Sequence, residues 1–130
     1  MSLRKLHASH NEDLCNLLIK TTGFDDWVIT TAFYSALNLV KHQIFPFSDA
    51  GVSYADFDEY YSKLNSGVKI SKHSAVISLV SKRIPIAKHI YKMLFDHCNN
   101  ARYHDYRVKP ELAKLARTNL SKLQGICNKT

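Results

Sequence analysis

Residues 25–45 read DDWVITTAFYSALNLVKHQIF. Their apolar side chains fall around most of the circumference of a helix rather than along one stripe, the pattern of a helix enclosed by its neighbours. The run therefore predicts a buried central helix. Asp25 or Asp26 is placed to cap it, and Pro46 to stop it, because proline cannot continue the hydrogen-bonded spiral. Ala32, Ser35 and Ala36 are small enough for other helices to approach closely, while Trp27, Phe33 and Tyr34 read as core and dimer packing.

The same helical period extends to both sides of this run, and no stretch alternates like a half-buried strand. Upstream, a helix is expected from Leu3 to Thr21 with Leu6, Leu14, Leu17 and Leu18 inward, closed by Gly23. Downstream, residues 47–53 are the least patterned. Asp56 and Glu59 then have capping-box spacing for a short helix ending near Leu64, and Asn65, Ser66 and Gly67 form a loop. Ser71 can cap a helix from Lys72 to about Val80, and Pro85 suits the first turn of a long helix beginning near Ile84. In that helix Ala87, Ile90, Leu94, Cys98 and Ala101 recur at core spacing. Pro110 opens the last helix, whose core face is Leu112, Leu115, Ala116, Leu120 and Leu123 and whose end is set by Gly125. The expected architecture is all-α, one bundle of four to five helices of up-down type over residues 1–130.

With 45% hydrophobic and 22% charged residues and four glycines, the 130-residue chain is neither collagen-like nor low-complexity. No apolar run approaches a membrane span and the first residues lack a signal-peptide core, so a cytoplasmic protein without a membrane role is expected. Cys15, Cys98 and Cys127 are odd in number and sit in apolar helical patterns, which suits buried thiols. The seven histidines are scattered, with no metal-ligand spacing, and no metal or cofactor is expected. Charge is uneven. Residues 1–81 hold seven Lys and Arg against eight Asp and Glu, whereas residues 82–130 hold eleven against three. A basic C-terminal part of this kind attracts phosphate backbones or acidic partners, and otherwise serves as a solvated lysine-rich face.

The stretch Asp26-Trp27, then Phe33-Tyr34-Ser35-Ala36-Leu37-Asn38, resembles the Asp-Trp and Phe-Tyr-x-Ala-Leu-His pattern of stand-alone prokaryotic HEPN-like (higher eukaryotes and prokaryotes nucleotide-binding) proteins. Lys72-His73 is similar to the Ser-His pair opening their third helix, and Cys98-Asn99-Asn100-Ala101-Arg102-Tyr103 to their Ser-x-x-Ala-Arg-Tyr ending. The resemblance implies a four- or five-helix bundle, commonly a homodimer, in some cases accompanied by a nucleotidyltransferase partner. Many members are metal-independent ribonucleases that use Arg, four to six residues, then His. With Cys98 taken at the Arg position, Asn99 follows it and His104 lies at the right distance but the guanidinium is missing; with Arg102 taken there, the His positions hold Arg107, Val108 and Lys109; and Asn38 stands where the family has His. Two literal Arg-x5-His matches, Arg4 with His10 and Arg83 with His89, are discounted: one lies at the N-terminus and the other contains Pro85.

Metal-free RNA cleavage needs a base for the 2′-hydroxyl, a cation for the phosphorane charge and an acid for the leaving oxygen. Arg102, one turn after Cys98, is the candidate replacement cation and His104 the candidate base or acid, with Asn99 and Tyr103 around the phosphate. The alternative role of Arg102 and Tyr103 is simply to end the helix, the cation favoured by the dipole. His97 and His104 are expected to face solvent. The residues read as the nucleic-acid or nucleotide surface are Asn99, Arg102, Tyr103, His104, Arg107 and Lys109. Three functions follow: a non-catalytic HEPN-like module binding RNA, a nucleotide or a protein; a ribonuclease of toxin or defence type using Arg102 and His104; and a structural homodimeric bundle.

Overall fold

The computed structural model describes residues 2–21, 23–64 and 70–128. The described chain is an all-α bundle with one small antiparallel hairpin: α1 Leu3–Ile19, α2 Asp25–Ile44, β1 Phe47–Asp49, β2 Val52–Tyr54, α3 Phe57–Leu64, α4 Lys72–Arg83, a 3-10 turn Pro85–Ala87, α5 Lys88–Tyr103 and α6 Pro110–Cys127. The loop expected at Asn65, Ser66 and Gly67 lies outside the described residues.

As its composition demands, α2 runs through the centre, with α1, α5 and α6 packed around it and α4 against its far end. Val28, Ile29, Ala32, Phe33, Ala36 and Val40 are sealed from solvent. The small residues act as expected: Ser35 sits beneath α1 and donates its hydroxyl to the Ala8 carbonyl at 2.7 Å. Buried Thr30 and Thr31 satisfy their hydroxyls on the Asp26 and Trp27 carbonyls of the preceding turn. The cap differs from expectation. Phe24 is the N-cap and offers no side-chain bond, so Asp25 and Asp26 lie in the first turn, where carboxylates favour the positive end of the dipole.

Three local expectations hold. Ser71 accepts the Ser74 amide at 3.0 Å at the start of α4, which continues to Arg83. Asp56 accepts the Glu59 amide at 2.9 Å, and Glu59 reaches back to the Ala55 amide at 3.1 Å, a capping box shifted by one residue. The cysteines are core residues on α1, α5 and α6. Burial pushes the Cys98 and Cys127 thiols up to about 11, and Cys15 is raised as well.

Five local expectations need correction. The stretch 47–53 contributes to a hairpin, because Ala50 and Gly51 both take positive φ (52° and 79°), the conformation that joins two twisted strands in two residues. An aromatic cluster anchors it: Phe47 packs on Tyr54 and Phe45, and Tyr54 on Tyr60. Helix α1 ends at Ile19 and buries Ala8 and Cys15, leaving Leu6, Leu14 and Leu17 exposed. Trp27 is half exposed rather than core. In α6 Leu115 lies at the surface, and Gly125 is inside the helix, which runs to Cys127. His97 is partly buried, its Nδ1 without a partner among the described residues.

Candidate nucleic-acid interface

Enclosed as it is, α2 opens to the surface along one strip. Trp27, Tyr34 and Lys41, spaced seven apart and so two turns from one another, are only partly covered, with Asn38 buried between the last two. Four other helices lean over this strip, and each except α3 brings a cation.

At one edge, Arg4 in the first turn of α1 donates to the Asn38 side-chain oxygen at 3.0 Å. Asn38 in turn donates its amide to the Tyr34 carbonyl at 2.9 Å, which fixes the carboxamide and hence the guanidinium. At the other edge, Arg102 near the end of α5 donates to the Tyr34 hydroxyl at 2.5 Å. Its guanidinium lies 5.7 Å from the Tyr34 ring centre and 5.2 Å from that of Tyr103, held by both tyrosines while its other donors face solvent. Lys41 extends its ammonium over the Phe57 ring at 4.6 Å. Lys72 and His73 open α4, where the His73 ring packs against Phe33 and Phe95 at 5.6 and 5.2 Å.

The electrostatics report how close these cations stand. Burial first, then Arg4 and Lys72, lower the Lys41 ammonium to about 8, with only Asp58 opposing. Burial first, then Lys41 and Arg102, lower His73, so its imidazole is predominantly neutral at pH 7. Arg4, Lys41, Lys72 and Arg102, with neutral His73 among them, thus form one group drawn from four helices; Asp58 acts on Lys41, and Asp56 lines the hollow that Lys41 shares with Arg4. Mutual repulsion among such cations disfavours the face when empty and is relieved when an anion sits on it.

The structure gathers only part of the site expected from sequence. Arg102, Asn99 and Tyr103 line one shallow hollow with Tyr34, His73, Phe33, Phe95 and Cys98. His104, Arg107 and Lys109 are not among its walls. His104 is the exposed C-cap of α5, Arg107 is exposed and paired with its near neighbour Asp105 at 3.1 Å, and exposed Lys109 precedes α6. The sequence gives Lys41 no functional reading; it offers Arg4 only in a discounted Arg-x5-His match, Tyr34 as packing, and Lys72 and His73 as the opening of a helix. The available signal was the seven-residue spacing of Trp27, Tyr34 and Lys41 on an otherwise apolar helix.

The hollow itself has a volume of about 20 Å³, room for one water or one ligand atom rather than for a base. A second hollow on this face, of about 230 Å³, is walled by Arg4, Lys41, Phe45, Asp56 and Phe57 among others. Among the described residues no His, Cys, Asp and Glu group could hold a metal ion, and no helix is long and apolar enough to cross a membrane. Comparison of the chain with family models, with curated proteins and with solved structures gave no match.

Proposed function

We propose that this chain is a non-catalytic, HEPN-like RNA-binding module that takes the phosphate backbone of single-stranded RNA across the face of Arg4, Lys41, Lys72, His73 and Arg102. The observation that carries the proposal is the convergence of these five side chains from four helices on one face, where cations outnumber the neighbouring Asp56 and Asp58. RNA is favoured over a free nucleotide because the cations are spread over four helices, beyond the hollow of about 230 Å³ beside Arg4 and Lys41 and the one of about 20 Å³ beside Arg102 and His73. Exposed Tyr103, beside the Arg102 guanidinium, and exposed Trp27, two turns before Tyr34 on α2, offer ring faces on which unpaired bases stack. The basic residues 82–130 supply only Arg102 to the cluster. The remainder of that charge acts at longer range, steering the polyanion toward the molecule.

One observation supports metal-independent cleavage as a second reading: neutral His73 shares the hollow with Arg102, a base beside a cation, whereas His104 lies outside it. The proposed dimer and a nucleotidyltransferase partner are compatible with either reading.

Fluorescence anisotropy of a labelled single-stranded RNA in EDTA, at several salt concentrations, tests both. Binding is expected to raise anisotropy and to collapse with salt. Lys41→Gln or Arg102→Gln should weaken it by roughly 3- to 10-fold and flatten the salt dependence by about one phosphate contact. The same change at Lys109 should matter less. Salt-independent binding, or none, refutes the RNA proposal. A decline below the free-RNA signal means cleavage, and its loss in His73→Ala but not His104→Ala assigns the base.

A further inference from the structure

Where α2, α4 and α6 finish, the bundle leaves a hollow of about 430 Å³, a size that encloses small organic ligands. Its origin is local. Ile84 leaves the helical conformation (φ −134°, ψ 66°) and Pro85 starts the 3-10 turn, so the chain bends before α5 begins, beside the last turns of α2 and α6. Ile44, Ile84, Pro85, Ile86, Ile126 and Cys127 make the wall apolar, and Gln43 and Arg83 are its polar side chains. Water held there finds few hydrogen-bond partners, so a hydrocarbon chain displaces it favourably. Ile86 stands 76% exposed at the rim, apolar surface that such a chain would cover. Burial holds the Cys127 thiol up at about 11, so it packs against a ligand without reacting with it.

The charge of the wall narrows the class of ligand. The Arg83 guanidinium lies 4.5 Å from the Phe47 ring centre, so the hairpin holds one face of it while the N–H donors at its edge stay open to an incoming group. None of the ion pairs among the described residues engages Arg83. A carboxylate matches its planar fork with two parallel hydrogen bonds. The three helix ends act in the opposite sense, since a C-terminus carries about half a negative charge. Lys41 in the last turn of α2 and Lys82 in that of α4 offset two of them, which leaves the Arg83 charge for the ligand. Size sets the chain length. At roughly 30 Å³ for each water-sized group the hollow holds about fourteen non-hydrogen atoms, enough for a ten-carbon acid.

We infer that this hollow binds a fatty acid of about ten carbons, its chain along the isoleucines and its carboxylate on Arg83. The site shares no residue with the face of Arg4, Lys41, Lys72, His73 and Arg102 and does not depend on RNA binding. Decanoate titrated into isotope-labelled protein and followed by NMR should bind with a Kd of about 10–100 µM and move the amides of Ile44, Arg83, Ile84, Ile86, Ile126 and Cys127. Decan-1-ol, the same chain without the charge, should bind about fivefold more weakly, and decyltrimethylammonium more weakly again. Arg83→Gln should weaken decanoate about tenfold and leave decan-1-ol unchanged, which separates a lost charge from a disturbed wall. Ile86→Asp, at an exposed position, should weaken decanoate by about tenfold or more with unchanged helical circular dichroism. No binding of decanoate at about 1 mM overturns the inference. So do amide shifts centred on the cationic face, equal affinity for the ammonium compound, or an Arg83→Gln variant that binds decanoate as the wild type does.

Discussion

Lys41 carries the sharpest consequence at the level of one side chain. Its ammonium is held at about 8 in the folded chain against an ordinary 10.5, so the unfolded chain binds the proton more tightly. The charge therefore opposes folding below pH 8, and the opposition fades as pH rises from 8 to 10.5. Lys41→Met should be more stable than wild type in urea at pH 7, by about 1 kcal/mol for a half-buried and partly screened position. The two midpoints should converge by pH 10. His73 works in the same direction lower on the scale: as pH falls through its ordinary 6.5 the unfolded chain protonates first and stability declines. Neither effect is legible in the sequence, because Arg4, Lys41, Lys72 and Arg102 are far apart in the chain and meet only through the tertiary fold. What was legible, Asn99, Arg102 and Tyr103 together, lies within one turn and a half of a single helix, where spacing alone decides the neighbours.

Among the elements, α1 is the one whose attachment rests most on polar side chains. Arg117 of α6 donates to Asn16 at 2.6 Å and to Glu12 at 3.0 Å, and is steadied by Ser121 at 2.9 Å; the Glu12 ion pair is mostly covered. Arg117→Ala should cost about 1–3 kcal/mol, since it removes charge-assisted bonds and leaves the Glu12 carboxylate unpaired. A urea titration followed by circular dichroism measures it. The polar anchoring also explains why the inward face of α1 was misread. Leucines at helical spacing ordinarily mark the buried side, but here Ala8 and Cys15 allow a closer approach to α2 than leucine would, and the leucines are displaced outward. The hairpin escaped detection for another reason. Its strands are three residues long, too short for alternation to register, and its Ala50-Gly51 turn lacks the Asn or Asp that usually signals positive φ. By contrast α2 and the capped starts of α3 and α4 were legible, because composition and caps act within one or two turns.

Across the whole molecule, charge counted along the chain and charge presented on a face prove to be different quantities. Residues 1–81 are net acidic, yet they supply Arg4, Lys41, Lys72 and His73, while the far more basic remainder adds Arg102. The buried cysteines span the molecule in another way, Cys15 fully covered under α1, Cys98 nearly so under α5, and Cys127 on the wall of a hollow at the last turn of α6. Raised thiols enclosed in this manner react only during moments of opening, so a mild alkylating agent timed by mass spectrometry becomes a clock for three separate parts of the fold. Cys127, at the end of its helix, should be labelled first. Cys15, fully covered and bonded to the Val28 carbonyl at 3.5 Å, should follow far more slowly, unless Arg117→Ala is present, when its labelling alone should accelerate. The chain thus carries its own reporters of which helix lets go first.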